Sequence, residues 1–417
     1  MMRPGHVIVA CVFALLTIGV VMVNSAGMVV DPKVPVSIQG VLLSRSTIYM
    51  GVAILAMAMT SWFAPVQLLG AVRGGADTVG PSPERTSGWS MSFLWIGTLV
   101  LLAVLAAVYV PGLGVSKKGA TRWLGLNLPG LGDLSVQPSE IVKWGAVLLT
   151  AVYAASMGDR IKPFFKGHLP LLIALGAVVG FMVIEDLGTA ILITAVAAIM
   201  LLAAGVSIWK FIALIPVGVV ALVAAIVKQP YRLERIETYV NPYVDPENTG
   251  FHMIQSMVAV HNGEIWGRGL GNGLQKFGYL PEDTTDFIFA IICEELGIFG
   301  ALTVVFLYAV LLGAACLIVF KQRSPLLKLI GLGVASTVLL QAIINMGVVT
   351  ALLPTKGIAL PLLSSGGTGW ILTAASLGVL VAMDKLVAPA DETVSAAAAS
   401  GGALVAIPVR EGGLATG

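Results

Sequence analysis

Of the 417 residues, 57% are apolar and only 11% are charged, with a formal net charge of +2. A soluble domain carries about 25% charged residues, so a soluble globule is excluded, and the small charge with no basic run gives no case for nucleic acid. The apolar stretches run about 20 residues without period-two alternation, which excludes a β-barrel and leaves helices as the way to satisfy backbone polar groups in lipid.

The fold expected is an all-α polytopic membrane protein with ten spans, near 7–30, 47–69, 91–110, 139–157, 169–185, 188–206, 209–227, 286–320, 326–352 and 366–387. The run Val7 to Val23 is longer than a signal-peptide core, so a retained first helix is expected in preference to a leader cleaved near Asn24-Ser25-Ala26-Gly27. Breaks are written as Asp31-Pro32, Pro111-Gly112, Ser324-Pro325 and Leu353-Pro354. Short basic connections holding Arg73 and Arg85, then Arg160, Lys162 and Lys166, then Lys210, then Lys321, Arg323 and Lys328 put both termini in the cytoplasm. Two long connections, 111–138 and 228–285, then lie outside, the larger between the seventh and eighth helices. Residues 1–387 read as one membrane domain, and the Ala/Gly-rich tail 388–417 as disordered. Cys11, Cys293 and Cys316 all fall within spans, as small apolar fillers with no disulfide or metal pattern.

Charges in so apolar a chain need reasons. Residues 279–297, YLPEDTTDFIFAIICEELG, hold five acids: Glu282, Asp283, Asp286, Glu294 and Glu295. Asp286 stands at the lip of an apolar run, whereas Glu294 and Glu295, inside the helix, read as structural. Glu140 and Lys143, three apart, share a helix face and can pair, as a structural bridge or as part of a site. Asp186, in the tight turn after Glu185, reads as a helix N-cap or as a cavity carboxylate. Arg232 and Arg235 suit lipid headgroups or a diphosphate, whose oxygens match the guanidinium fork. Trp123 suits a sugar face or the membrane interface. The run Gly267-Arg268-Gly269-Leu270-Gly271-Asn272-Gly273 lacks the GK[ST] ending of a phosphate-binding P-loop and reads as a turn.

These residues together resemble the SEDS family (shape, elongation, division and sporulation) of peptidoglycan glycosyltransferases. The matching runs are GATRWLG at 119–125, QPSEIVKW at 137–144, DLGTAILI at 186–193, YRLERI at 231–236, 269–297 entire, and NMGVVTALLPTKGIALPLLSSGGTGW at 345–370. Leu353-Pro354-Thr355-Lys356-Gly357 and the run 271–276 look more like the division branch, FtsW, than the elongation branch, RodA. Thr284, Ser365, Glu185 and Cys293 stand where the family usually has His, Tyr, Pro and Gly.

The resemblance implies polymerisation of lipid II into β-1,4 glycan at the outer face of the bacterial cytoplasmic membrane, in septal synthesis. It implies Asp286 as the catalytic base and Glu140, Lys143 and Asp186 as cavity residues, with Arg232, Arg235 and Trp123 as further substrate contacts. The partners implied are lipid II, undecaprenyl-diphosphate-linked glycan, a class B penicillin-binding protein, other division proteins and membrane lipid. A divalent cation, Mg or Mn, bridging diphosphate and carboxylate is compatible, with no ligand set assigned. An elongation polymerase, a lipid II flippase and a structural division partner are the alternatives.

Overall fold

The computed structural model describes residues 3–27, 38–76, 83–117, 120–128, 132–365 and 367–399. Thirteen α-helices occur there: α1 Pro4–Ala26, α2 Ile38–Leu42, α3 Arg45–Ala76, α4 Pro83–Ala106, α5 Pro138–Met157, α6 Leu169–Glu185, α7 Leu187–Ala203, α8 Ile208–Val227, α9 Pro230–Val240, α10 Phe251–Asn262, α11 Ile288–Lys321, α12 Pro325–Val349 and α13 Thr368–Ala399. Nine of these contain stretches long and apolar enough to cross a membrane, and α7, 17 residues of equally apolar sequence, fills the place of the expected sixth span. The ten spans of the sequence are therefore present, and the protein is a multi-pass membrane protein.

Local sequence sets the ends. α5 and α12 open on Pro138 and Pro325, where the missing N–H costs nothing. α5 closes on Gly158 at φ +50, a conformation that only glycine adopts freely. α1 ends at Ala26, and the Asp31-Pro32 break lies outside the described residues. The helix is a packed member of the bundle, with Ile8, Val12, Leu15 and Leu16 fully buried, as expected of a retained span.

Three expectations change. Within the connection 111–138 the described residues form a small antiparallel meander, β1 Gly114–Lys117, β2 Ala120–Leu128 and β3 Gly132–Val136, on an otherwise helical fold of the expected class. Paired strands satisfy each other's backbone groups, which an irregular loop of this length could not do internally. The predicted span 286–320 is one run of helix only nominally, because Gly297, at φ 63 and ψ −159, breaks α11. Asp286 and Phe287 precede the helix, in a turn. The last span, expected to end at 387, continues as helix to Ala399, and the rest of the tail lies outside the described residues.

Two apolar cores build the bundle. One joins α1, α3, α11, α12 and α13 around residues such as Leu15, Ile292, Ala315 and Leu377. The other joins α4, α5, α6 and α7 around Leu94, Val142, Tyr153, Val178 and Met200. α12 touches both, since Val334 and Val338 lie in the first core and Leu329 in the second. α8 has no buried residue, so its apolar side chains face lipid. The charged residues gather where α5, α7, α12 and the chain before α11 converge.

Candidate active site

α12, mostly apolar, carries a stripe at Thr337, Gln341 and Asn345, four residues apart and thus on one face, and all three are buried. This stripe organises the site. Lys143, 1% exposed, pairs with Glu140 Oε2 at 2.7 Å and donates to Gln341 Oε1 at 2.9 Å. Gln341 Nε2 in turn donates to the Ala359 carbonyl at 2.8 Å. One turn on, Asn345 Nδ2 donates to two carbonyls, Asp286 O at 2.8 Å and Ile358 O at 2.7 Å. Glu140 and Gln341 supply the partners that a buried lysine requires. Glu140 also lies in the first turn of α5, where the helix dipole favours an anion.

The irregular segment Thr355 to Ala359 runs through the centre. The Thr355 carbonyl accepts from Arg235 Nη1 at 3.3 Å. Lys356 Cε and the Ile358 side chain close on Gly188, where a Cβ would come within 3.3 Å and 2.9 Å of them. Gly357 abuts the Asp286 carboxylate, since a Cβ there would sit 2.7 Å from Oδ2. Five consecutive residues therefore join Arg235, the α7 N-terminus, Asp286, Asn345 and Gln341.

Asp186 caps α7: Oδ1 accepts the Thr189 amide at 3.0 Å and Oδ2 the Thr189 hydroxyl at 2.6 Å. It also lines a small crevice with Tyr109, Gln137, Ser139 and Glu185. A second, narrow space is lined by Lys143, Thr150 and Thr337. The capping reading of Asp186 is therefore met, and the same residue borders a crevice.

Two expected contacts are placed elsewhere. Arg232 is buried, and four of its five N–H groups are committed. Nε donates to Tyr231 Oη, Nη1 to Ala225 O, and Nη2 to Val183 O and Ile184 O. It ties the last turns of α6 and α8, whose carbonyls lack helical partners, so its fork is not presented to a ligand. Trp123 lies on β2 opposite Val115, half-buried, on a sheet that packs against α5 and α6. Arg235 remains exposed beside Thr355.

Glu294 and Glu295 are structural, as expected, by an arrangement the sequence does not announce. Both are fully buried. Glu294 accepts the amides of Leu274 and Gln275, and Glu295 those of Gly271 and Gly273. Glu295 also accepts from Ser25 Oγ of α1 and pairs with Lys276 at 2.9 Å. The glycine-rich run is thus no loose turn; it is fastened to α11. Its glycines permit the approach, as a Cβ at Gly267 would run into the Glu295 carbonyl.

Sequence reasoning missed Gln341, Asn345 and Lys356 as members of the site. The signal was present for the first two, as amides spaced i, i+4 in an otherwise apolar helix. Two positions that depart from the family pattern also meet: the Ser365 amide donates to the Thr284 carbonyl at 2.8 Å. Among the described residues no group of three or more His, Cys, Asp or Glu is gathered to hold a metal ion.

A multi-span helical bundle with a buried ion pair and a carboxylate assembled around one irregular segment makes a polar site within the membrane-spanning region. The family model described as cell cycle protein, which covers FtsW, RodA and SpoVE, matches residues 6–387, and the chain belongs to that family. It is 34% identical to stage V sporulation protein E of Bacillus subtilis over 92% of this chain and 97% of that one. It is 36% identical to a probable peptidoglycan glycosyltransferase FtsW of Geobacter sp. strain M18, over 69% and 77% of the two chains. A solved structure of a peptidoglycan synthase complex that coordinates polymerization and crosslinking superposes with a TM-score of 0.64 at 23% identity, over 91% of this chain and 97% of that one. The rod shape determining protein RodA of Thermus thermophilus gives a TM-score of 0.56 at 22% identity, over 91% and 95%. The protein is a peptidoglycan glycosyltransferase of this family.

Proposed function

We propose that the protein polymerises lipid II at the outer face of the bacterial cytoplasmic membrane, with Asp286 as general base. The observation that carries this reading is the placement of Asp286: a carboxylate at a helix mouth, its backbone carbonyl fixed by Asn345 and its side chain against Gly357. A base must be positioned before its proton affinity matters, and this one is held from both sides. The acceptor's 4-hydroxyl oxygen attacks the anomeric carbon of the diphosphate-linked donor. Its proton passes to the Asp286 carboxylate, and the anomeric C–O bond breaks with its electron pair leaving on the diphosphate. Glu140 and Lys143 support the acceptor side of the cavity, and Asp186 borders the crevice beside it. A divalent cation would enter with the diphosphate, which supplies most of its oxygen ligands, since Mg²⁺ in such sites takes only one or two carboxylates.

The division role is supported by the FtsW names among the relatives and by the Leu353-Pro354-Thr355-Lys356-Gly357 run. A class B penicillin-binding protein as partner, at the septum, is supported by the likeness to a peptidoglycan synthase complex. The test is purified protein with labelled lipid II, with and without such a transpeptidase. Glycan strands are expected from the wild type and none from Asp286→Ala. Strands made equally by Asp286→Ala would remove it as base, and their absence from both proteins with the partner present would favour a flippase or a structural role.

A further inference from the structure

Glu140 neutralises Lys143, so what the ammonium keeps is donor geometry: three N–H groups and no acceptor. It donates to Glu140 Oε2 at 2.7 Å and to Gln341 Oε1 at 2.9 Å. Of the two ends of a carboxamide, only the oxygen can face an ammonium. The other end of Gln341, Nε2, is therefore turned to the Ala359 carbonyl, which it meets at 2.8 Å. Turned over, the amide would set donor against donor and acceptor against acceptor. The ion pair thus fixes the orientation of Gln341 and, through it, the backbone at Ala359.

Ala359 belongs to the strip of chain that backs the base. Gly357, two residues earlier, abuts Asp286, since a Cβ there would sit 2.7 Å from Oδ2. Between them, the Ile358 carbonyl shares Asn345 Nδ2 with the Asp286 carbonyl, at 2.7 and 2.8 Å. Farther on, the Pro361 carbonyl accepts from the Tyr308 hydroxyl, and the Ser365 amide donates to the carbonyl of Thr284, two residues before Asp286. The strip touches the chain of the base at both ends, and Gln341 joins its near end to α5.

We propose that Gln341 is a positioning residue for the polymerisation. It carries the constraint of the Glu140–Lys143 pair to the strip 357–359 and so sets where the Asp286 carboxylate points. This rests on the polymerase reading above and gives the buried pair a role in it. Gln341 is itself buried, acts through a backbone carbonyl and transfers no atom. A base displaced by roughly 1 Å loses about a hundredfold in rate, whereas a substrate held by other groups binds as before. The signature of positioning is a fall in kcat at constant KM.

The experiment uses full-length wild type, Gln341→Met, Gln341→Glu and the pair variant Glu140→Gln with Lys143→Met. All are measured equally far below their own melting temperatures. Gln341→Met removes both bonds at similar volume. Gln341→Glu, ionised beside Lys143, still accepts from the ammonium and has no hydrogen for the Ala359 carbonyl. With labelled lipid II, both should lose kcat about a hundredfold at unchanged KM. Wild-type kcat in Gln341→Glu, or a loss carried by KM, overturns the assignment. Hydrogen exchange read by mass spectrometry gives a readout free of catalysis. Exchange across residues 355–363 should quicken in Gln341→Glu, and also in the pair variant, where Gln341 loses the donor that orients it. Unchanged exchange in either overturns the coupling. If the wild type makes no glycan, the polymerase reading fails separately; quickened exchange then still supports the coupling, and unchanged exchange still removes it.

Discussion

Asn345 shows how one side chain can hold a site together without entering the chemistry. Its amide nitrogen serves two carbonyls, so the orientation of the carboxamide is fixed: turned over, its oxygen would face two acceptors. The oxygen that results is buried with no donor. Asn345→Leu keeps the volume and orphans the carbonyls of Asp286 and Ile358, each costing on the order of 1–3 kcal/mol when buried. Both the melting temperature and the glycan turnover should fall, measured in detergent on the same preparation. Wild-type values for both would show that Asp286 does not depend on this anchor. Asp286 itself was legible from sequence, because a carboxylate against an apolar helix stands out in any membrane chain. Lys356 was not, since a lysine in a Pro/Gly-containing connection looks like ordinary surface until the fold lays it over Gly188.

Among the elements, α11 depends on what lies beside it. Its first segment, Ile288 to Glu295, is entirely buried and ends on two carboxylates. They are tolerable there because the end of the glycine-rich run and the two residues after it present four backbone amides to them, and Lys276 adds a charge. Lys276→Met leaves Glu295 buried and uncompensated, a loss of about 3–5 kcal/mol for a buried pair broken on one side. The double variant Lys276→Met with Glu295→Gln should recover part of it, read as melting temperature. If single and double variants melt alike, the pair is not coupled. The sequence marked Glu294 and Glu295 as structural, and it does not show that the two serve one neighbour. They do, because the loop wraps the end of the segment where Gly297 breaks the helix, and each carboxylate takes different amides.

The whole molecule is two apolar cores joined at α12, with the site where they meet. Nine long spans and the shorter α7 would put Pro4 and Ala399 on one side, and the lysine and arginine pattern leads us to expect that side to be the cytoplasm. Cysteines introduced at Thr249 and Arg323 test it in a Cys316→Ser background, since the native Cys11 and Cys293 are buried and Cys316 is half-buried. A membrane-impermeant maleimide applied to intact cells should label Thr249→Cys and spare Arg323→Cys. The reverse pattern would invert the protein and place Asp286 on the wrong face for lipid II polymerisation.

Composition and hydropathy alone determined the membrane class, the ten spans and the candidacy of Asp286, because lipid gives each span a length and each buried charge a cost. Tertiary structure decided the rest: the sheet in the first outer connection, the break at Gly297, the use of Arg232 at helix ends and the gathering of the site around residues 355–359. The physical reason is one of range. Hydrophobic transfer acts residue by residue along the chain and can be summed from sequence. Hydrogen-bond partners are chosen among groups more than a hundred residues apart, as Arg235 and Thr355 are.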